Sequence, residues 1–182
     1  MHLNPYGADV VNFAADLANR PLATAEELAE RCLKAGLVLE RPVEPADLDH
    51  VLEVTRAWVE IVDAPGEREK ADLLNDMLAR SAAYPRLTDH AGGWHLHYRD
   101  DLQRLGAVLF ALISVGTALH LVSRGMDRLG RCAAPGCAVI YADTSRTARQ
   151  RYCSQGCANR DAVRRHRARR SAESEIAYKT CR

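Results

Sequence analysis

Apolar positions fall into helical stripes over most of the chain up to residue 123. In Asp9–Ala18, Val10, Phe13 and Leu17 recur on one side and predict a short amphipathic helix. Thr24-Ala-Glu-Glu27 has the spacing of a capping box, in which a hydroxyl and a carboxylate three residues on each satisfy a backbone N–H of the first turn. The helix it opens is expected to stop at Gly36. Pro45 suits a first helical position because its fixed φ is already helical. From there Leu48, Leu52, Trp58, Val59 and Val62 make a broad apolar face, closed by Pro65-Gly66. Residues 67–83 put Leu73, Leu74, Met77 and Leu78 inward, and Pro85 closes that stretch.

The period then changes from helical to two. Trp94, Leu96 and Tyr98 alternate with His95 and His97, as in a strand with one apolar face. Ala91-Gly92-Gly93 predicts a turn, so Arg86–His90 is expected to pair with that strand. Alternation turns the two histidines to solvent by default, although imidazoles two apart on a strand face can also chelate a metal. A long helix is expected from Asp100 to about Val122. Its part from Leu105 to Val122 has no formal charge, and its 18 residues lie at the short edge of what spans a bilayer. Gly106, Ser114, Gly116, Thr117 and His120 weaken a membrane reading. A buried central helix, or one shared across a homodimer interface, fits better. His120 is then a core residue, or one of the few polar groups able to line a pocket there. The fold class expected is mainly α: a helical domain over 1–125 with one small β-hairpin, then a small cysteine-bearing domain over 126–182.

Charge separates the same two parts. Of 182 residues, 1–123 carry a net charge of −8 and 124–182 carry +9, which nearly cancel in the whole chain. The basic part is the candidate for a polyanionic partner. Arginine outnumbers lysine 22 to 3, which reflects composition bias as much as binding. No basic, apolar leader opens the chain, and Asp9 and Asp16 interrupt its start, so a cytoplasmic protein is expected. Structural disulfides are disfavoured there.

Four of the six cysteines have a spacing that asks for metal. Cys132, Cys137, Cys153 and Cys157 form C-x4-C-x15-C-x3-C, two close pairs with enough chain between them to bring the second back to the first. The intervening stretch holds an expected strand, Val139-Ile140-Tyr141, a polar turn from Asp143, and a return at Arg151-Tyr152. A knuckle, a hairpin and a helix carrying the last ligand make a treble-clef-like layout. So few large apolar side chains cannot build a core alone, and one structural Zn²⁺ would supply the missing folding free energy. Iron–sulfur ligation also uses four cysteines, but the spacing and the hairpin favour zinc. Four thiolates around Zn²⁺ leave a local charge of −2, which Arg131, Arg151 and Arg160 flank and are expected to offset. Cys32 reads as a core residue and Cys181 as a free thiol.

With RCAAPGC, YADTSR, RYCSQGC and CANR in that order, residues 131–170 resemble the CGNR zinc finger. Ala158 stands where the family has its name-giving glycine, Tyr152 where tryptophan is usual, and Tyr141 where phenylalanine is usual. The aromatic changes keep a packing role, and glycine's backbone freedom is not needed inside a helix. The first part is similar to the helical ABATE domain that precedes this finger, through Asp9-Val-Val-Asn12, Trp94-His-Leu-His97 and the long apolar helix. The resemblance covers nearly the whole chain and implies a stress-related transcription regulator.

The run after Cys157 continues as a basic helix. Arg160, Arg164 and Arg167 share a face, and Arg165 and Arg169 broaden it. These five are the candidate nucleic-acid contacts, suited to phosphate more than to base reading. DNA is the expected partner, with the helical domain sensing a small-molecule effector or dimerising. RNA, a protein surface (including the acidic first domain) or plain solvation are the other uses of such a helix. Asn159 is expected to bond the knuckle backbone or cap local structure. No glycine-rich phosphate loop, nucleophile elbow or acid pair beside a histidine points to an enzyme.

Overall fold

The computed structural model describes residues 8–39, 41–89, 93–100 and 103–180. Its elements, among the described residues, are six helices and two small antiparallel hairpins. The helices are α1 (Ala8–Asn19), α2 (Ala25–Lys34), α3 (Pro45–Asp63), α4 (Glu67–Ser81), α5 (Leu105–Arg124) and α6 (Gln155–Thr180). The strands are β1 (Arg86–Thr88), β2 (His95–His97), β3 (Leu129–Arg131) and β4 (Ile140–Ala142). His90 of the expected strand, Ala91 and Gly92 of the expected turn, Asp101 and Leu102 of the expected long helix, and Cys181 lie outside the described residues.

Helix α5 is the axis around which the rest packs. Its apolar length would cross a membrane by composition alone, yet 61% of that window is buried inside the protein. Helices α1, α3 and α4 surround it. The buried stripe of α3 is Val51, Val54, Trp58, Ile61 and Val62, while Leu48, Leu52 and Val59 pack at its half-buried margins. Trp58 is fully buried and its Nε1 donates to Thr117 Oγ1 at 2.9 Å, so the polar end of each side chain is satisfied. The glycines that weakened a membrane reading are points of close approach. A Cβ on Gly116 would lie 2.7 Å from Val10 Cγ1 of α1, and one on Gly106 2.9 Å from His50 Cβ of α3.

The helix starts depart from expectation in instructive ways. Thr24 Oγ1 accepts from Glu27 N–H as a capping box requires, but the Glu27 carboxylate reaches Ala23 N–H rather than that of Thr24. Asp100 does not begin α5; the helix starts at Leu105, and Arg104 before it offers no side-chain cap. The cap comes from α3. Asp47, 4% exposed, accepts from Glu44 N–H through Oδ2 and from Gly106 N–H through Oδ1, each at 3.0 Å. One carboxylate thus satisfies the first turns of two helices. Asp47→Ala is expected to cost about 2–3 kcal/mol, and Asp47→Asn less, because the alanine leaves both donors without that acceptor. Thermal unfolding should register this as a melting temperature lower by roughly 5–10 °C for the alanine variant.

The first hairpin is inverted relative to the sequence expectation. Strands β1 and β2 pair Arg86 with His97, Leu87 with Leu96 and Thr88 with His95. The histidine face is the more buried one: His97 is buried, while His95, Leu96 and Tyr98 are half-buried. Leu87 and Trp94 are 70% and 74% exposed. Alternation fixes the period of a strand, whereas the partners behind it decide which face is inside. Here Arg86 has an inward partner, donating to the Arg99 carbonyl at 2.9 Å.

The second hairpin also departs from expectation. Strand β4 does not pair with the return at Arg151-Tyr152. It pairs backwards with β3, Leu129 opposite Ala142 and Arg131 opposite Ile140, so the hairpin brackets the first cysteine pair. Its apolar residues Leu129, Ile140 and Ala142 join the helical core. The Asn19 side chain at the end of α1 completes the edge of β4. Nδ2 donates to Ile140 O at 2.7 Å and Oδ1 accepts from Ile140 N–H at 2.8 Å, as a neighbouring strand would.

Candidate metal centre

The first knuckle forms where β3 runs out. Cys137 N–H donates to Ala134 O at 3.0 Å, and Gly136 takes φ +76°, a conformation that favours glycine. The second knuckle is the entry to α6. Ser154 caps it, its Oγ accepting from Cys157 N–H at 3.3 Å, which sets Cys157 in the first turn. Ala133 N–H to Arg151 O, 2.8 Å, ties the two knuckles together.

These turns aim four sulfurs at one point, all within 4.8 Å of one another. Cys137 and Cys153 Sγ are 3.8 Å apart, Cys157 and Cys137 Sγ 3.8 Å, and Cys153 and Cys157 Sγ 3.5 Å. A disulfide would need about 2.05 Å. Four sulfurs about 2.3 Å from a tetrahedral zinc ion lie about 3.8 Å from each other, so the donor set fits one Zn²⁺. With cysteine as all four donors, a Zn²⁺ bound here would keep no position open for a reacting water.

The electrostatics around the sulfurs are uneven. Burial raises the Cys132 thiol, but N–H bonds from Cys153 and Ala134 together with the Cys153 and Cys137 thiols outweigh it and bring it down to about 7. Burial and the neighbouring thiols push Cys153 up to about 12. Four thiolates so close repel one another unless a cation sits between them. Of the three flanking arginines, Arg160 reaches a ligand, its Nη2 2.9 Å from Cys157 Sγ. Arg131 turns away, to a two-pronged pair with Asp63 at 2.6 and 2.8 Å and to Ala138 O. That contact ties β3 to the end of α3 and holds the Asp63 carboxyl below its ordinary range. Arg151 lies over the Tyr152 ring, 6.0 Å from its centre.

The basic helix carries an organiser that the sequence reading missed. Asp161, 6% exposed, accepts from Tyr152 OH at 2.8 Å, from Arg164 Nε at 3.0 Å and from Arg165 Nε at 3.1 Å. The tyrosine hydroxyl and the Arg164 bond hold its carboxyl below the usual range. Arg151, Arg164 and Arg165 thereby gather around one Tyr152–Asp161 pair. The available signal was a single carboxylate inside an arginine run. Arg167 and Arg169 are exposed and make no ion pair among the described residues. Asn159 accepts from Gln155 Nε2 rather than meeting the knuckle backbone. Between β4 and the second knuckle, Asp143 pins the loop by accepting from Ser145 and Gln150 N–H, leaving Arg146 and Arg149 exposed.

The remaining candidates lie apart from the thiols. Cys32 is fully buried and burial pushes its thiol up to about 12, as suits a core residue. His120 is 4% exposed; burial, then Arg124 and Arg128, lower its pKa, and its Nε2 has no hydrogen-bond partner among the described residues. A cleft of about 520 Å³ between α1 and α2 is lined by Asp9, Asn12, Phe13, Asp16, Glu27 and Arg31 among others.

Comparison with known families finds two matches along the chain. A family described as the CGNR zinc finger matches residues 128–170. One described as "Putative stress-induced transcription regulator", ABATE, matches residues 9–126. No curated protein matches the chain. With matched segments that together take in nearly the whole described core and the four thiols in their expected place, the chain belongs to the ABATE family and carries a CGNR zinc finger after its ABATE domain.

Proposed function

We propose that the protein is a cytoplasmic transcription regulator that grips duplex DNA through α6 and its neighbouring arginines, with the ABATE domain as the regulatory half and no catalytic role. The observation that supports this most is the Tyr152–Asp161 bracket. It holds Arg164 and Arg165 in place while their side chains stay 58% and 48% exposed. Arginines already ordered lose less conformational freedom on meeting phosphate. Arg160 serves the metal centre as well, whereas Arg167 and Arg169 extend the charged surface along the helix. The cleft between α1 and α2 is the place proposed for a small polar effector.

The test is a salt series with the zinc-loaded full chain and duplex DNA. Log K is expected to fall against log salt with a slope of roughly −3 to −5, corresponding to about three to six phosphates. The double reversal Arg167→Glu with Arg169→Glu should weaken binding at least about tenfold and flatten the slope by about two, with one zinc retained. Absence of binding at about 50 mM salt, where phosphate contacts are strong, would overturn the proposal. Equal affinity for single-stranded RNA would move it to an RNA-binding role.

A further inference from the structure

The first hairpin brings two imidazoles face to face. His95 and His97, two apart on β2, direct their Nε2 atoms at each other across 3.2 Å, with ring centres 4.9 Å apart and planes inclined at 66°. His95 Nδ1 lies 2.8 Å from the Gly93 carbonyl. A carbonyl oxygen only accepts, so Nδ1 is the donor there, and the tautomer this bond selects presents the Nε2 lone pair toward His97. A backbone carbonyl on one ring nitrogen is the arrangement that orients the other nitrogen as a metal ligand.

Two facing Nε2 atoms cannot both carry hydrogens at this distance; they share either one hydrogen, as an N–H···N bond, or one metal ion. An ion about 2.1 Å from each nitrogen would see them at about 100°, close to the tetrahedral angle. An anion would need both N–H groups turned outward, which the facing geometry does not give. Arg86, opposite His97 in the register, directs one Nη to the Arg99 carbonyl and sits 5.7 Å from the centre of the Tyr84 ring. His95, half-buried, leaves an approach from solvent, and water or a small donor ligand completes the coordination.

We propose that His95 and His97 form a second metal site, a two-imidazole chelate for a divalent ion of the zinc, nickel and copper group that imidazole favours. It is separate from the four-thiolate centre, and its position in the ABATE domain gives that domain a metal as its ligand.

The experiment uses tag-free full-length protein holding its one zinc, equilibrated with micromolar Ni²⁺ and desalted, with both metals counted per chain by mass spectrometry. The expected result is one zinc and one nickel. His95→Asn and His97→Asn should each lose the nickel and keep the zinc, with unchanged far-ultraviolet circular dichroism. A wild-type chain that retains zinc alone would overturn the site. So would nickel that persists in both variants or enters only as zinc leaves. If either variant fails to fold, Ni²⁺ protection of wild-type His95 and His97 from diethyl pyrocarbonate decides: modification unchanged by nickel overturns the proposal.

Discussion

Stripping zinc with a strong chelator is expected to unfold the knuckles and the start of α6 while the helical core stays folded. The local core of this region is Cys132, Ala134 and Cys157, with Cys137, Cys153 and Tyr152 packed on it, and holds no large aliphatic side chain. Nothing there replaces the metal, whose binding supplies on the order of 10 kcal/mol in sites of this kind. Strands β3 and β4 behave differently, because Leu129, Ile140 and Ala142 are buried with the helices. Hydrogen exchange should therefore show protection lost over residues 132–138 and 151–162 and kept in α1, α3, α5 and most of the hairpin. Cys153→Ser should give the same pattern without chelator. Uniform loss across the chain, or none, would contradict a local structural role for the ion.

Truncating the central tryptophan has the next largest expected effect. Trp58→Ala removes a fully buried indole and leaves Thr117 Oγ1 without its 2.9 Å donor. The expected cost is about 3–5 kcal/mol, large for one substitution, with a melting temperature lower by roughly 10 °C or more. Trp58→Phe keeps most of the volume and loses the hydrogen bond, for about 1–2 kcal/mol. The chain has two tryptophans, and the other, Trp94, is 74% exposed. Fluorescence separates the two: the phenylalanine variant should retain only the red-shifted emission of a solvated indole. A Trp58→Phe variant that loses as much stability as Trp58→Ala would mean that the cavity contributes little.

The helices and the ligand set were legible because each rests on local rules. Period, capping residues and prolines placed α1 to α4 within a few residues, and cysteine spacing identified the metal centre before any geometry. What escaped the sequence depends on partners distant along the chain. Asp47 caps a helix that begins 58 residues later, Asn19 completes a strand 121 residues away, and Arg131 meets Asp63 across 68. No window of sequence contains both members of such pairs. The hairpin polarity failed for a related reason: two alternating faces carry no mark of which will find a neighbour. Asp161 is intermediate, since it lies within reach of its partners yet looked like a minor interruption of positive charge.

The amide bracket from Asn19 to Ile140 bears on how this protein can be re-engineered. The finger is not a transplantable cassette. Cutting before β3 would carry off Leu129, Ile140 and Ala142 with their apolar faces uncovered and the edge of β4 without its amide partner. A chimera that moves this finger to another regulator needs a substitute for α1, or a polar redesign of the outer face of the hairpin.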